Sequence, residues 1–238
     1  LNGKEDQAIS LKHKDWLGFS QLQDVSESSI FIDMYPGSHV IVDHYGLDFQ
    51  WESNINCESM TVIDDLADRH HKCSLLIDQS LKNTKLNYEN LVDGNFDFMG
   101  GNLVILREEF SDERTWKALN SGKVLICMGG ADPKSYTKKI LENIILNHKR
   151  CSSPQDEIEI NVIVGSACTD YDDLKSLADT DKLKVSILFN PENISQLMLQ
   201  SELCILSCGT MILEACALGV PSIGIAVAEN QKSTAEFL

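Results

Sequence analysis

The sequence predicts an α/β protein of two domains, each with a parallel β-sheet between helices. The first observation is length, because 238 residues exceed the roughly 100–150 residues of a typical single domain. The second is periodicity, since short runs that are apolar throughout alternate with segments whose apolar residues recur at helical spacing. Such strands belong to parallel sheets covered on both faces, and we expect the two domains to face each other across a cleft.

The charge balance narrows the range of functions. Asp and Glu number 36 against 20 Lys and Arg, which gives a formal net charge of −16, and 43% of the residues are hydrophobic. This composition is globular, and its negative field disfavours binding to the phosphates of a nucleic acid. An anionic small molecule is compatible with it, because helix N-termini bind phosphate through backbone N–H groups.

Several features indicate the cellular compartment. No run of 18 apolar residues predicts a membrane span, and the polar start LNGKEDQAISLKHKD is unlike a signal peptide. The eight cysteines form no CxxC pair, and several lie in apolar runs, so we interpret them as buried, reduced thiols. We therefore expect a cytoplasmic protein without a membrane span, and we expect a monomer.

Three strands are predicted in the first half of the chain, and each ends at polar residues. They are Val40–Asp43, Met60–Ile63 and Ser74–Ile77. A helix is expected after the first of them, over Leu47–Asn56. The rest of this half is less regular.

The second half alternates more clearly and predicts five strands and five helices. The strands are Lys123–Met128, Ile158–Gly165, Leu183–Phe189, Leu203–Leu206 and Ser222–Val227. The helices are predicted to start at Asp132-Pro133, near Asp170, at Asn190-Pro191, at Thr210 and near Ser233. We expect Gly219 to end the fourth helix at Leu218.

A polar stretch separates the two halves. It reads FSDERTWKALNSG from Phe110 to Gly122, and we predict a linker over residues 111–122. The predicted domains are therefore residues 1–110 and residues 123–238. Lys and Arg are evenly shared between the halves, and the acidic excess is concentrated in the first.

The strongest local pattern is Ser207-x-Gly209-Thr210 followed by Glu214, at a predicted strand-to-helix turn. Gly209 permits close backbone approach, and the first-turn amides of the helix can bind a phosphate oxygen. Glu214 lies one helical turn after Thr210 on the same face, where its carboxylate can accept hydrogen bonds from two adjacent ribose hydroxyls. The alternative is that Thr210 caps the helix and Glu214 is a solvated acid stabilised by the helix dipole.

Two further strand ends carry residues suited to a ligand. Gly129-Gly130 follows a buried strand and allows close approach, although glycines there also serve packing between helix and strand. Asn230-Gln231 follows the last strand, and its amides can hold a diphosphate or sugar hydroxyls without adding charge. A helix-cap region is the alternative interpretation of this pair.

Acidic residues end two neighbouring strands of the first half. Asp43-His44 and Asp64-Asp65 have the side chains needed for acid–base chemistry, and carboxylates are also ligands for divalent metals. A solvated acidic rim is the alternative. Both interpretations stay open at this point.

An ordered set of motifs resembles a known family. In the first half the motifs are VIVDHYGLD (40–48), WE (51–52), VIDDLA (62–67) and LREEF (106–110). In the second half they are MGGAD (128–132), EA (214–215) and NQxSTA (230–235). The set, which covers roughly residues 23–238, resembles the PseG-type UDP-sugar hydrolases of pseudaminic acid biosynthesis, which are related to the spore-coat polysaccharide protein SpsG.

The resemblance implies a GT-B-like fold of two Rossmann-like domains, related to the MurG-type glycosyltransferases. It implies hydrolysis of UDP-2,4-diacetamido-2,4,6-trideoxy-β-L-altropyranose by water, with UDP as the leaving group and with no metal or other cofactor. The residues assigned to UDP are Gly129, Gly130, Ser207, Gly209, Thr210 and Glu214. The residues assigned to the sugar are Asp43, Tyr45, Asn230 and Gln231. Asn230 and His44 are the candidate catalytic residues.

The chain departs from the family pattern in three places. The family opens with a strand and a GxGHxxR loop whose His is the proposed general base, and this sequence has no such segment. His13, in LKHKD, lacks the glycines and is not given that role. The chain ends at Leu238 inside a predicted helix, so we interpret it as a fragment that lacks both ends. Gly101-Asn102-Leu103 stands where the family has an aromatic residue before LREEF.

Two other functions are open on the same fold. One is a glycosyltransferase of the MurG type, and the other is a non-catalytic remnant that binds a nucleotide sugar. Release of free sugar and UDP without an acceptor would distinguish the hydrolase. We expect these 238 residues alone to bind UDP weakly and to hydrolyse the UDP-sugar very slowly or not at all.

Overall fold

A computed structural model of the chain describes residues 13–100, 103–111, 121–151, 158–179 and 183–238. It divides into two compact units, residues 1–104 and 105–238. The division lies earlier than the predicted one, because residues 105–110 belong to the second unit. The physical reason is Phe110, whose buried ring shares a core cluster with Leu125 and Leu206. Most of the predicted linker, residues 112–120, lies outside the described residues.

The first unit is built on a four-stranded parallel sheet. Its strands are β1 (His39–Val42), β2 (Ser59–Ile63), β3 (Leu75–Asp78) and β4 (Asp97–Gly100), and they pair in chain order. The helices are α1 (Gln21–Ile32), α2 (Phe49–Glu52) and α3 (Lys85–Tyr88). The three predicted strands are confirmed to within one residue at each end, whereas β4, α1 and α3 were not predicted.

The helix predicted over Leu47–Asn56 is wrong in length, since α2 covers Phe49–Glu52. Asp48 caps its start, because the carboxylate accepts a hydrogen bond of 2.8 Å from the Gln50 amide. Near the other end, the Asn54 side chain donates a hydrogen bond of 2.7 Å to the Gln50 carbonyl. That carbonyl is the acceptor a longer helix would use, so the side chain competes with helix continuation.

The second unit is built on five parallel strands. They are β5 (Lys123–Cys127), β6 (Glu159–Val164), β7 (Lys184–Phe189), β8 (Leu203–Ser207) and β9 (Ser222–Ile225). Their order across the sheet is β7-β6-β5-β8-β9. The helices are α4 (Tyr136–Cys151), α5 (Tyr171–Ala178), α6 (Ile194–Leu199), α7 (Thr210–Leu218) and α8 (Lys232–Phe237). All five predicted strands and all five predicted helices are confirmed, although two of the helices start later than expected.

The late starts have a backbone cause. Helix α4 begins at Tyr136 and not at Asp132-Pro133, and α6 begins at Ile194 and not at Asn190-Pro191. Asp132 and Asn190 have φ angles of +42° and +41°, in the left-handed region, so the chain turns at these residues before each helix forms. The Asp132 carboxylate still caps α4, because it accepts hydrogen bonds of 2.9 and 2.7 Å from the first two helical amides.

The second sheet is buried on both faces, which explains why its strands are apolar throughout. Side chains of β5 alternate, so that Leu125 and Cys127 join a cluster with α7, whereas Ile126 joins another with Leu141 of α4. The Schellman-type end at Gly219, with φ +72°, closes α7 as predicted. Among the described residues, no helix combines the length and the apolarity needed to cross a membrane.

Candidate functional site

A pocket of about 500 Å³ lies at the carboxyl edge of the second sheet. It lies where the strand order reverses, because β5 pairs with β6 on one side and with β8 on the other. Open parallel sheets bind ligands at this kind of position. Five residues assigned to UDP from the sequence line it: Gly129, Gly130, Ser207, Gly209 and Thr210. Further lining residues include Arg107, Gly165, Asn190, Met211 and Gln231.

The turns after β5 and β6 approach each other closely beside this pocket. A Cβ atom on Gly165 would lie 2.5 Å from the Gly130 carbonyl oxygen, so a larger residue fits only if the backbone shifts. Gly129 has a φ angle of +94°, which residues with a side chain rarely adopt. Glycine at these positions therefore lets the backbone of both turns line the pocket.

Helix α7 presents its N-terminus to the same pocket. Its N-cap is Gly209, and no side-chain hydrogen bond caps the helix. Thr210 and Met211 are the first two helical residues and line the pocket, where their N–H groups have no acceptor within the helix. Thr210 is thus not the N-cap, and the geometry suits a phosphate oxygen at this helix end.

Glu214 has a partner that sequence reasoning missed. Its carboxylate is buried and accepts two hydrogen bonds from Arg107, from Nε to Oε1 and from Nη2 to Oε2, both at 2.9 Å. This hydrogen bonding raises the pKa of Arg107 above its usual value. Glu214 is therefore not a solvated acid. The Arg107 side chain is 48% exposed and lines the pocket, whereas Glu214 is buried behind it.

The two amides predicted after the last strand have different surroundings. Gln231 lines the pocket, and its Oε1 accepts a hydrogen bond of 3.0 Å from the Val227 amide. Its Nε2 lies beside Gly209, at 3.4 Å from the position of a Cβ atom there. Asn230 lies in the short 3-10 helix Glu229–Gln231, is exposed, and is not one of the residues that line the pocket.

The first-unit candidates follow β1 directly. Asp43 is exposed, and Tyr45 donates its hydroxyl to Asp65 Oδ1 at 2.7 Å. His44 Nδ1 accepts a hydrogen bond of 3.0 Å from the Gly46 amide. The neutral imidazole of His44 therefore carries its proton on Nε2, where it is a donor.

Asp64 is buried, so it is not part of a solvated acidic rim, and its partners differ from that of Asp65. Its Oδ1 lies 2.6 Å from Arg69 Nη1, and its Oδ2 accepts a hydrogen bond of 2.9 Å from the Ala67 amide. Burial by itself would raise the pKa of Asp64, but the neighbouring His71 imidazole and the Arg69 guanidinium lower it to about 2. Across the described ranges, no group of three or more His, Cys, Asp and Glu is placed to hold a metal.

His71 completes this buried network. Its Nδ1 lies 2.7 Å from Glu52 Oε1, and its Nε2 lies 3.8 Å from Asp64 Oδ2. Burial opposes protonation, but hydrogen bonding to Asp64 and Glu52 raises the pKa of His71 above its usual value. Because Glu52 Oε2 also accepts a hydrogen bond from the Lys72 amide, the network ties α2 to the chain that follows β2. The sequence carried no signal for it beyond the polarity of these residues.

Comparisons with known curated proteins agree with this architecture. The chain is 28% identical over 203 residues to the UDP-2,4-diacetamido-2,4,6-trideoxy-beta-L-altropyranose hydrolase of Campylobacter jejuni, which covers 84% of this chain and 70% of that protein. It is 29% identical over 209 residues to an uncharacterized protein of Methanocaldococcus jannaschii. That match covers 81% of this chain but 41% of the archaeal protein. The resemblance to PseG-type hydrolases is therefore confirmed.

Two solved structures share the fold. TarM superposes with a TM-score of 0.53 at 12% identity, and covers 89% of this chain and 49% of its own. MurG of Acinetobacter baumannii has a TM-score of 0.53 at 13% identity, and covers 91% of this chain and 61% of its own. The chain thus spans about half to three fifths of the length of these structures. The predicted GT-B-like fold class, with two parallel-sheet α/β domains, is confirmed.

The match to a protein family includes most of the pocket. The lipid-A-disaccharide synthetase family, LpxB, matches residues 96–227, which is more than half of the chain. This range includes the whole second sheet and the lining residues from Arg107 to Met211. The chain therefore belongs to the lipid-A-disaccharide synthetase (LpxB) family.

Proposed function

We propose that this chain binds a UDP-activated sugar and hydrolyses it to free sugar and UDP. The observation that carries the proposal is the pocket in which the uncapped N-terminus of α7 meets the glycine turn after β5. The Campylobacter relative supports it, since its name describes hydrolysis of a UDP-diacetamido-trideoxy sugar. We propose the same substrate class, in pseudaminic acid-type biosynthesis, for a cytoplasmic monomer that does not bind nucleic acid.

In this proposal the diphosphate binds at the N-terminus of α7. The amides of Thr210 and Met211 donate to phosphate oxygens, and the Ser207 hydroxyl and the Arg107 guanidinium lie on the same pocket. Arg107 is first held by Glu214, whereas the other donors are fixed by the fold before the substrate arrives. They stabilise the negative charge that develops on UDP as it leaves, without a divalent metal or another cofactor.

The ribose is proposed to bind Glu214, as the spacing from Thr210 indicates. Both carboxylate oxygens are held by Arg107 at 2.9 Å, so Arg107 must release them when the nucleotide binds. The exchange places the guanidinium on the diphosphate and the carboxylate on the ribose hydroxyls. One charged pair is thereby replaced by two charge-assisted contacts to the ligand.

The sugar is proposed to contact Asp43, Tyr45, Asn230 and Gln231. Water attacks the anomeric carbon, the bond from this carbon to the diphosphate oxygen breaks, and its electron pair leaves with UDP. A positioned base that takes the water proton contributes about 10²–10⁴-fold. Asn230 and His44 are the proposed catalytic residues of this chain, and His44 Nε2 becomes a base only if Nδ1 gives up its bond to the Gly46 amide.

The test is release of UDP from the diacetamido-trideoxy UDP-sugar by the full chain, measured without an acceptor. UDP and free sugar in equal amounts, even at the very low rate expected of these 238 residues, support hydrolysis. A lower rate in His44→Ala supports His44 as the base that takes the proton of water. Full activity in His44→Ala would remove His44 from the mechanism. Inversion at the anomeric carbon is expected, because one water attacks directly.

Glycosyl transfer is a second candidate function, favoured by membership in the LpxB family and by the likeness to MurG. It predicts that UDP is released only after an acceptor hydroxyl compound is added. A non-catalytic remnant predicts UDP binding by calorimetry with no turnover under either condition. The same assay therefore separates the three functions.

A further inference from the structure

Three aromatic rings meet at the carboxyl end of β1. The ring centroids of His13 and Trp16 are 4.8 Å apart, those of His13 and Tyr45 are 5.5 Å apart, and those of Trp16 and Tyr45 are 5.8 Å apart. Trp16 as a residue is 64% exposed. We name these three residues the aromatic platform.

Gly46 lets the chain segment that carries His13 and Trp16 lie close to the segment that carries Tyr45. A Cβ atom on Gly46 would lie 3.1 Å from the His13 carbonyl oxygen and 2.9 Å from His44 Cε1, so glycine permits this approach. The Trp16 amide donates a hydrogen bond of 3.0 Å to the same His13 carbonyl, which closes the 3-10 helix Lys14–Trp16. The platform is therefore part of the fold of the first unit.

Charged residues fix the Tyr45 ring. The Arg69 guanidinium lies 5.7 Å from the ring centroid, and the Tyr45 hydroxyl donates to Asp65 at 2.7 Å. Arg69 is itself buried, held by Asp64 at 2.6 Å and by the Leu47 carbonyl at 3.0 Å. The anchored Tyr45 ring gives the Trp16 indole, whose centroid lies 5.8 Å away, a fixed ring to pack against.

A depression of about 460 Å³ adjoins the platform. Its lining includes Asp15 and Leu17, which flank Trp16 in the chain, Gly46, which follows Tyr45, and Phe19, Gln21 and Gln50. Its wall combines apolar side chains, glycines, a serine and uncharged amides, and its charged residue is an acid. This chemistry suits neutral hydroxyl, methyl and N-acyl groups and disfavours phosphate.

We propose that the aromatic platform binds the pyranose ring of the substrate, with the C–H face of the sugar on the Trp16 indole and its N-acyl or deoxy substituents in the adjoining depression. The inference rests on the proposed function, because it names the part of the first unit that recognises the sugar of the UDP-sugar. An aromatic ring offers an apolar face for the C–H groups of a pyranose, and the polar groups beside it can bind the hydroxyls of the sugar. The platform thereby makes the first unit selective for acylated, deoxygenated sugars.

The experiment compares Trp16→Ala with Phe31→Ala in the full chain. Phe31 is a matched control, because it is 68% exposed on α1 and is not one of the platform residues. UDP, the diacetamido-trideoxy UDP-sugar and the free diacetamido-trideoxy sugar are each titrated by calorimetry. Trp16→Ala should weaken binding of the UDP-sugar and of the free sugar about tenfold and change UDP affinity less than twofold. Trp16→Phe should recover part of the loss, and Phe31→Ala should match the wild type.

The outcomes separate this inference from the proposed function. If the wild type binds UDP and Trp16→Ala binds the UDP-sugar as tightly as wild type does, the platform does not bind the sugar. The proposed nucleotide site is unaffected by that result. If Trp16→Ala weakens UDP and UDP-sugar equally, the indole stacks on the base and not on the sugar, which also refutes sugar binding by the platform. If the wild type does not bind UDP, the proposed function fails. Whether the platform binds a sugar is then decided by comparing the affinity of wild type and Trp16→Ala for the free sugar.

Discussion

Replacing Gly165 with alanine tests the close contact beside the proposed nucleotide pocket. The added Cβ would lie 2.5 Å from the carbonyl oxygen of Gly130, 2.6 Å from its Cα and 3.0 Å from its carbonyl carbon. All three are backbone atoms, which cannot rotate away as the tip of a side chain can. Because non-bonded carbon atoms pack at about 3.5–4.0 Å, the two turns must separate by about 1 Å.

The expected cost follows from this displacement. Overpacking of a well-packed region costs about 1–3 kcal/mol, and we expect about 2 kcal/mol for Gly165→Ala. In a domain of this size each kcal/mol lowers the unfolding temperature by about 2–4 °C, so the second unit should unfold about 4–8 °C lower. UDP affinity should fall about tenfold, because the shifted turn disturbs about one hydrogen bond to the ligand.

Scanning calorimetry and UDP titration measure the two effects. Gly130→Ala is the matched control for stability, because a Cβ there meets no heavy atom within 4 Å and its φ is not in the left-handed region. It should unfold at the wild-type temperature or slightly above it, since alanine restricts the unfolded chain. A Gly165→Ala variant that unfolds at the wild-type temperature would show that the two turns accommodate the added Cβ without strain.

Three other predictions test the charges of the two units. Glu214→Ala should weaken UDP binding at least tenfold, because each lost charge-assisted hydrogen bond contributes about 1.5–3 kcal/mol; unchanged affinity in calorimetry would remove Glu214 from the ribose site. UDP affinity should be equal in EDTA and in millimolar Mg²⁺, because backbone amides and Arg107 hold the phosphates; a strong dependence on Mg²⁺ would contradict this. The pKa of His71 is raised in the folded state, so the protonated imidazole stabilises the first unit. The first unit should therefore lose stability as the pH rises above 6.5, the pKa of His71 in the unfolded chain. If the midpoint of chemical denaturation depends on pH as steeply in His71→Asn as in wild type, another group causes the effect.

The architecture of the second unit was predictable because its physical signals are local. Strands buried on both faces are apolar throughout, and glycine or an N-cap residue marks the turns between strands and helices. The same signals placed Gly129, Gly130, Ser207, Gly209 and Thr210 at strand ends, and the parallel topology brings those ends to one edge. All five line one pocket.

The charged partners were not predictable, because they depend on distant parts of the chain. Arg107 and Glu214 form an ion pair across 107 positions, and no local pattern links them. Asp64 looked like one half of an acidic pair, but Arg69 and the buried His71 engage it instead. In the first unit α3 and β4 were missed, since elements of four residues carry too little periodicity to detect. The 12-residue α1 was missed as well, and none of its residues is buried.

A crystal structure of the full chain with UDP would locate the nucleotide. The diphosphate should lie at the N-terminus of α7, with phosphate oxygens about 3 Å from the amide nitrogens of Thr210 and Met211. The ribose hydroxyls should contact Glu214, and Arg107 should have moved from the carboxylate to the phosphates. A diphosphate bound away from α7, or a ribose bound while Arg107 and Glu214 stay paired, would exclude the proposed nucleotide site.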